Sequence, residues 1–331
     1  MKYVRLGWSG LKVSPIAIGC MSFGNAEPYQ VELEDARKVV SKALDLGVNF
    51  FDTANMYSLG RSEEIIGELL KEVREDVIIA TKVYSKMGEK PNQRGLSRKH
   101  IMKQVKDSLN RLQTDYIDLY QTHRWDYETL IEDTLSTLND LVRSGIVRYI
   151  GASSMWAWQL SKAMYTSEIR GFEKFTSMQD KWNLLYREEE REMIPLCKDQ
   201  NIGVIPYNPV AAGLLSGRYS EGGRIEIGRN DLMRLQPDYR LAGVYRKPYV
   251  DPPENSEIVR RVAEVAKTKG VKPVQIALAW LFKKGATAPI IGTSKPEHVQ
   301  EAVESVDISL SEKDIAYMEE PYVPKKIVGH T

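Results

Sequence analysis

The sequence predicts a (β/α)8 TIM barrel, an α/β fold, with an N-terminal β-hairpin, a long loop after strand seven and a C-terminal helical tail. Three observations carry that expectation. Eight short runs are rich in β-branched and aromatic residues and nearly continuous in hydrophobicity, as strands covered on both faces of a parallel sheet must be. Amphipathic helical patterns lie between them. Over the first seven runs the spacing is roughly 28 to 39 residues, the length of a βαβ unit. An open doubly wound sheet could alternate in the same way, but it would need a glycine-rich GxGxxG turn after a strand to hold a dinucleotide, and the sequence has none.

Taken in order, residues 3–14 (YVRLGWSGLKVS) read as a hairpin turning at Ser9 and Gly10, ahead of the first barrel strand at 16–19 (IAIG). The stretch 32–46 places Ala36, Val39, Val40, Ala43 and Leu44 on one face before Gly47, and strand two follows at 48–52 (VNFFD). Strand three is 77–81 (VIIAT). A helix over 97–112 can be capped by Ser97 and lines up Ile101, Val105, Leu109 and Leu112. Strand four is 116–121 (YIDLYQ), and a helix over 128–144 ends at Gly145. Strands five to eight fall at 147–151, 175–179, 203–207 and 288–292. A short helix and a proline-rich end occupy 311–331. Residues 216–253 break the rhythm with little periodicity, many glycines and scattered arginines. A loop this long in a compact domain suggests a lid over the barrel mouth, closing on a ligand with phosphate groups, or a solvated insertion. With no second core or linker in view, 1–331 reads as one domain.

Composition narrows the partners. The 331 residues carry 42% hydrophobic and 27% charged side chains, which fits a globular chain rather than a disordered one. A formal net charge of +1 gives no whole-protein field for a nucleic acid or an anionic membrane. No stretch approaches the ~18 to 20 apolar residues of a membrane span, and the start lacks a signal-peptide core. Cys20 and Cys197 lack CxxC spacing and could pair only with each other, which fits a reducing cytoplasm. Whether the chain forms a homo-oligomer is open from sequence.

Reactive groups in such a barrel belong at the C-terminal ends of the strands. Strand two ends in Asp52 with Tyr57 beyond it, strand three continues to Lys82, and strand four to His123. A lone aspartate there is commonly a cap, and a lone tyrosine, lysine or histidine is commonly surface or a satisfied polar group. Four at neighbouring strand ends make a site. Tyrosine, with a reference pKa of about 10, is a weak acid at neutral pH. A neighbouring ammonium favours the phenolate and is expected to lower that value, while a carboxylate keeps the ammonium charged. A histidine opposite can orient a carbonyl oxygen. Such a set polarises and protonates a C=O group but contains no hydride, so a reduction needs a cofactor. His100, His298 and His330 lack such company, and no metal-ligand cluster is visible. A Schiff-base aldolase using Lys82 is a competing reading, opposed by the nearby Asp52, which would keep the lysine charged.

These strand ends resemble those of the aldo-keto reductase superfamily. "FDTANMYSLGRSE", "IIATKV" and "DYIDLYQTHRWD" are similar to its aspartate–tyrosine, lysine and histidine segments. "GIVRYIGASS", "MQDKWNLLYREEEREMIPLC", "GVIPYNPVAAGLLSG" and "PIIGTSKPEHVQEAV" resemble its later strands and cofactor segment, so the likeness runs from about residue 3 to 329. Order and spacing resemble the branch of aryl-alcohol dehydrogenase-like enzymes and potassium-channel β subunits, and "EEPYVPKKIVGH" resembles tails of the former group.

The resemblance implies reduction of aldehydes or ketones with NADP(H) favoured over NAD(H). It makes Tyr57 the general acid, assisted by Lys82 and Asp52, and gives His123 the task of orienting a small carbonyl substrate. The nicotinamide amide would meet Ser153, Ser154 and Gln179, with the ring stacked on Tyr207. Further cofactor contacts are implied at Asn208, Pro209, Gly213, Leu214, Ser216 and Arg218, and at Gly292, Thr293, Ser294, Lys295, His298 and Glu301. Ser294 and Lys295 would meet a 2′-phosphate ahead of a helix N-terminus. Lysine keeps the charge there without the two-pronged geometry of the arginine often found in the family. Ser154 and Ala302 stand where many relatives have asparagine, and Asp180 and Lys181 where smaller or aromatic residues are common. Met21, Phe23, Arg124 and Trp125, with Trp156 beside them, would line a pocket suited to an aryl or medium aliphatic aldehyde. The same branch allows another expectation, a cofactor-binding regulatory subunit with incidental reductase activity.

Overall fold

The computed structural model describes residues 1–27, 29–217 and 254–330. A two-stranded antiparallel hairpin, β1 (Val4–Arg5) and β2 (Lys12–Val13), precedes eight parallel strands. These are β3 (Ala17–Gly19), β4 (Phe50–Asp52), β5 (Ile78–Val83), β6 (Ile117–Thr122), β7 (Val147–Ser153), β8 (Ser177–Gln179), β9 (Gly203–Val204) and β10 (Ile290–Gly292). Neighbours pair in chain order, and β10 pairs with β3. Backbone bonds from Thr287 to the Val204 carbonyl (2.7 Å) and from Ile290 to the Pro206 carbonyl (2.9 Å) join the last two strands and close the ring. All eight expected strands and the hairpin are present.

The helices cover the outside. They are α1 (Leu33–Asp45), α2 (Arg61–Leu70), α3 (Arg98–Leu112), α4 (Ile131–Arg143), α5 (Ala157–Arg170), α6 (Met193–Asp199), α7 (Glu254–Lys269), α8 (Pro273–Lys284), α9 (Pro296–Glu304) and α10 (Glu312–Glu319). Ser97 caps α3 as its sequence suggested, accepting from the His100 N–H. The buried faces of α1 (Ala36, Val39, Val40, Ala43) and α3 (Ile101, Val105, Leu112) are the stripes read from the sequence. The helix expected over 128–144 starts later, because Leu130 is extended and acts as its N-cap.

Strand side chains alternate between two apolar environments. Those pointing outward, such as Ile18, Phe51, Ile79, Tyr120, Ile150 and Met178, join the helices in the larger core. Those pointing inward form a smaller cluster of Ala17, Phe50, Ala80, Leu119, Ile205, Ala288 and Ile290, closed from below by Leu6 and Val13 of the hairpin. The barrel interior is therefore packed beneath its C-terminal rim. Arg218 and most of the irregular stretch 216–253 lie outside the described residues, so the expectation of a lid lies there too.

Candidate active site

The inward alternation that puts Phe50, Ala80 and Leu119 in the barrel floor puts Asp52, Lys82 and Gln121 one step higher. Lys82 pairs in register with Gln121, Gln121 with Gly151, and Ser153 with Gln179. Gly151 makes room for this layer, since a Cβ there would come 2.6 Å from Ser177 Oγ and 3.1 Å from Gln121 Cγ. The result is a polar layer on an apolar floor, assembled from five neighbouring strands.

Its bonds are dense. Lys82 Nζ donates to Asp52 Oδ1 (2.5 Å) and to the Thr53 carbonyl (2.9 Å), and lies 3.4 Å from Tyr57 Oη. The second oxygen of Asp52 accepts from Gln121 Nε2 (3.0 Å) and Gln179 Nε2 (2.9 Å). Lys82 is fully buried and Asp52 2% exposed, so unpaired charges here would be costly. Burial alone would discharge Lys82. Asp52 and the Tyr57 phenol oppose it and hold the ammonium above its ordinary range. Gln121 was not singled out in the sequence. Its signal was available, for it stands two residues before His123 and so shares its inward face.

Tyr57 reaches this layer from a strained loop. Ser58 and Leu59 follow it at φ 47° and 51°, and Gly60 at 104°. Non-glycine residues seldom adopt such angles, and they persist where surroundings hold them. Ser58 Oγ donates to Gln30 Oε1 at 2.8 Å, and Asn55 Nδ2 to Gln104 Oε1 at 2.9 Å. Other non-glycine residues at positive φ, Ser154, Asn208, Ala211 and Ala212, sit beyond β7 and β9 on the same rim. Ser62, Glu63 and Glu64 lie in the first turn of α2. Glu63 does more, because it is fully buried, accepts from Thr81 Oγ1 (2.5 Å) and pairs with Arg111 (2.7 Å) behind β5.

One electrostatic expectation is overturned. The phenol of Tyr57 is pushed up from its ordinary value, because burial outweighs the opposing pull of Lys82. It stays protonated well above neutral pH. His123 moves the other way: burial, then Arg124 and Lys82, hold its imidazole well below the usual range, so it is neutral. Its ring meets that of Tyr57 edge-on at 5.9 Å, and its buried Nδ1 has no hydrogen-bond partner among the described residues. A protonated phenol backed by an ammonium thus stands beside a neutral imidazole.

Around this centre, Ser153 and Ser154 place their hydroxyl oxygens 3.3 Å apart, and the Ser154 N–H donates to the Gln179 carbonyl. Asn208 Oδ1 accepts from the Ala212 N–H (2.6 Å), and Ser216 Oγ donates to the Gly213 carbonyl (2.6 Å). Pro209 and Leu214 are buried. Next to β10, Thr293 Oγ1 binds His298 Nδ1 (3.0 Å) and accepts from the Lys295 N–H (3.0 Å). Gly292 and Lys295 are exposed, Ser294 is half-buried, and Glu301 pairs with Lys272 at 2.6 Å. Among the described residues no side chain caps the start of α9.

Of the pocket candidates, Arg124 and Trp125 line a small cavity with Met155 and Phe175. Arg124 Nη1 also donates to the His123 carbonyl at 2.5 Å. Met21 is half-buried, and Phe23 is fully buried in the larger core. The expectation that His330 lacks company is wrong. The ligand atoms of Asp180, Glu189 and His330 all lie within 4.8 Å of one another, and all three residues are buried. His330 is remote in sequence from the other two, so no local pattern joins it to them.

The description "Aldo/keto reductase family" fits residues 15–322 of the chain. The chain belongs to that family. It is 40% identical over 349 residues to a candidate aryl-alcohol dehydrogenase of Saccharomyces cerevisiae, covering 98% of both chains. It is 39% identical to the versiconal hemiacetal acetate reductase of Aspergillus parasiticus, with 99% of this chain and 98% of that one covered. An aldo-keto reductase of Fusarium vanettenii is also 39% identical, over 99% of this chain. The family and these aryl-alcohol dehydrogenase-like relatives make this aldo/keto reductase an oxidoreductase acting on carbonyl groups, of a family that uses NAD(P)H. Among the described residues no helix is long and apolar enough to cross a membrane.

Proposed function

We propose that this chain, as a single domain over residues 1–331, is an NADPH-dependent reductase of aldehydes or ketones with Tyr57 as general acid. The carrying observation is the Asp52–Lys82–Tyr57 relay, with Lys82 Nζ 2.5 Å from the carboxylate and 3.4 Å from the phenol, beside a neutral His123. The hydride for the carbonyl carbon would come from a bound reduced nicotinamide. Tyr57 Oη gives the carbonyl oxygen its proton, and the phenolate left behind is stabilised by the Lys82 ammonium. The raised value of the free phenol keeps that proton available at neutral pH, while Lys82 reduces the cost of releasing it. His123 orients the substrate oxygen by a hydrogen bond and, being neutral, brings no competing charge.

The residues present fit such a cofactor. Ser153 and Ser154 offer hydroxyls to its carboxamide. Gln179 would offer its carbonyl oxygen, because its Nε2 is engaged by Asp52 and Gln121. Tyr207 would back the ring. At the adenosine end, exposed Lys295 and the uncapped start of α9 suit a 2′-phosphate. The substrate would be a small carbonyl compound, taken from solution in the cytoplasm.

Initial rates with NADPH and NADH against aryl, aliphatic and sugar aldehydes test this. Turnover faster with NADPH is expected, and Lys295→Ala should raise KM for NADPH while leaving NADH alone. No carbonyl-dependent oxidation of either cofactor would overturn the proposal.

A further inference from the structure

The segment after α10 returns to the barrel rim and is tied down along its length. Tyr322 Oη donates to Glu188 Oε1 (2.6 Å) and accepts from the Arg187 N–H (2.8 Å). The Lys325 N–H donates to the same Glu188 oxygen (2.7 Å), and the Val328 N–H to Tyr186 Oη (3.0 Å). Gly329 lies against Tyr207, where a Cβ would come 3.2 Å from the hydroxyl. His330 then turns inward. Its Nε2 is 3.2 Å from Glu189 Oε1 and 3.7 Å from Asp180 Oδ1, and its ring meets Trp156 edge-on at 4.9 Å.

Asp180 and Glu189 need this histidine. Both are almost fully buried, and among the described residues neither oxygen of Asp180 nor Oε1 of Glu189 has an aligned hydrogen bond. Burial raises the proton affinity of both carboxylates, and the charge of Asp180 raises that of Glu189 further. An imidazolium lying between them offsets both. Lys181, the adjacent cation, is a poor substitute, since burial and Arg124 pull it down to about 7. Asp180 directly follows Gln179, and Trp156 lies two residues beyond Ser154. His330 therefore touches the loops after β7 and β8, while Gly329 touches the one after β9.

We propose that His330, as an imidazolium seated between Asp180 and Glu189, is a positioning residue that pins residues 321–330 across the rim as one wall of the substrate pocket. The inference rests on the reductase reading above. It assigns His330 to substrate fit, leaving proton transfer to Tyr57. The contacts hold His330 up at about 9, against an ordinary value near 6.5. The sign follows: a raised imidazole stabilises the pinned state fully below its ordinary value, and that contribution is lost as pH rises through about 9. The charged and titratable groups around it are Asp180 and Glu189 in contact, with Glu188, Lys181, Arg124 and Tyr207 beyond them.

The test compares wild type, His330→Ala and His330→Arg with NADPH, a bulky aryl aldehyde and a small aliphatic one. His330→Ala should raise KM for the aryl aldehyde on the order of tenfold, roughly what a small change in the fit of a pocket wall is worth. Its kcat and NADPH affinity should stay near wild type, and His330→Arg should recover part of the loss. Were the alanine variant not to fold, the wild type still decides: its aryl-aldehyde KM should climb as pH passes about 9. An unchanged KM in His330→Ala, or a flat wild-type KM through that range, would overturn the inference. So would a stoichiometric transition metal in the purified wild type, because a metal-bound Nε2 holds no proton to share. A wild type that turns over no aldehyde would instead remove the underlying reductase reading.

Discussion

Two buried charge clusters share the rim of this barrel, and they are built differently. Around Asp52 and Lys82, Asp52 is fully hydrogen-bonded: one oxygen takes the ammonium and the other takes two glutamine amides. Its members come from strands whose register is fixed by backbone ladders. Around Asp180, Glu189 and His330, the carboxylates are short of hydrogen bonds, and the cation arrives on a segment outside the sheet. The first cluster is suited to holding a proton donor in one place. The second can be opened by moving one strand of chain, which suits a wall that shapes a pocket.

The contrast can be broken at either end. Asp52→Asn should have the largest effect on folding. It leaves the Lys82 ammonium buried without its counter-charge and sets an amide against Gln121 and Gln179. A loss of about 3 to 5 kcal/mol is expected from urea unfolding, as when one partner of a buried ion pair is removed. A loss below about 1 kcal/mol would show that the saturated cluster is not what fixes this part of the rim. At the other extreme, Lys86 and Glu89 pair at 2.6 Å on the surface, with 54% and 88% of their side chains exposed. Lys86→Ala should change stability by less than about 0.5 kcal/mol, since solvent screens such pairs. The same denaturation series measures both.

The legible and illegible parts of the molecule divide along similar lines. The strands were readable because parallel strands in a closed barrel are apolar on both faces, and Asp52, Lys82 and His123 were readable because each stands at a strand end. Gln121 escaped notice because a glutamine two residues before a histidine resembles any polar strand terminus. Glu63 stands at no strand end, and only packing shows it buried between Thr81 and Arg111. The direction of the Tyr57 shift depends on how deeply the phenol is buried, which no local pattern reports. The Asp180–Glu189–His330 cluster joins one segment beyond β8 to a C-terminal residue that is remote in sequence. Sequence pattern thus carried what alternation and strand ends determine, and missed what depends on contacts between remote segments.

The central claim is that Tyr57 delivers the proton while the rest of the rim holds it in position. Tyr57→Phe removes that proton and little else, since the ring remains for packing. The direct measurement is single-turnover oxidation of NADPH by this variant with a saturating aldehyde, alongside fluorescence titration of NADPH binding. Binding within a few-fold of wild type, with hydride transfer slowed by about 10²-fold or more, is the predicted result. Hydride transfer at the wild-type rate in the phenylalanine variant would contradict it.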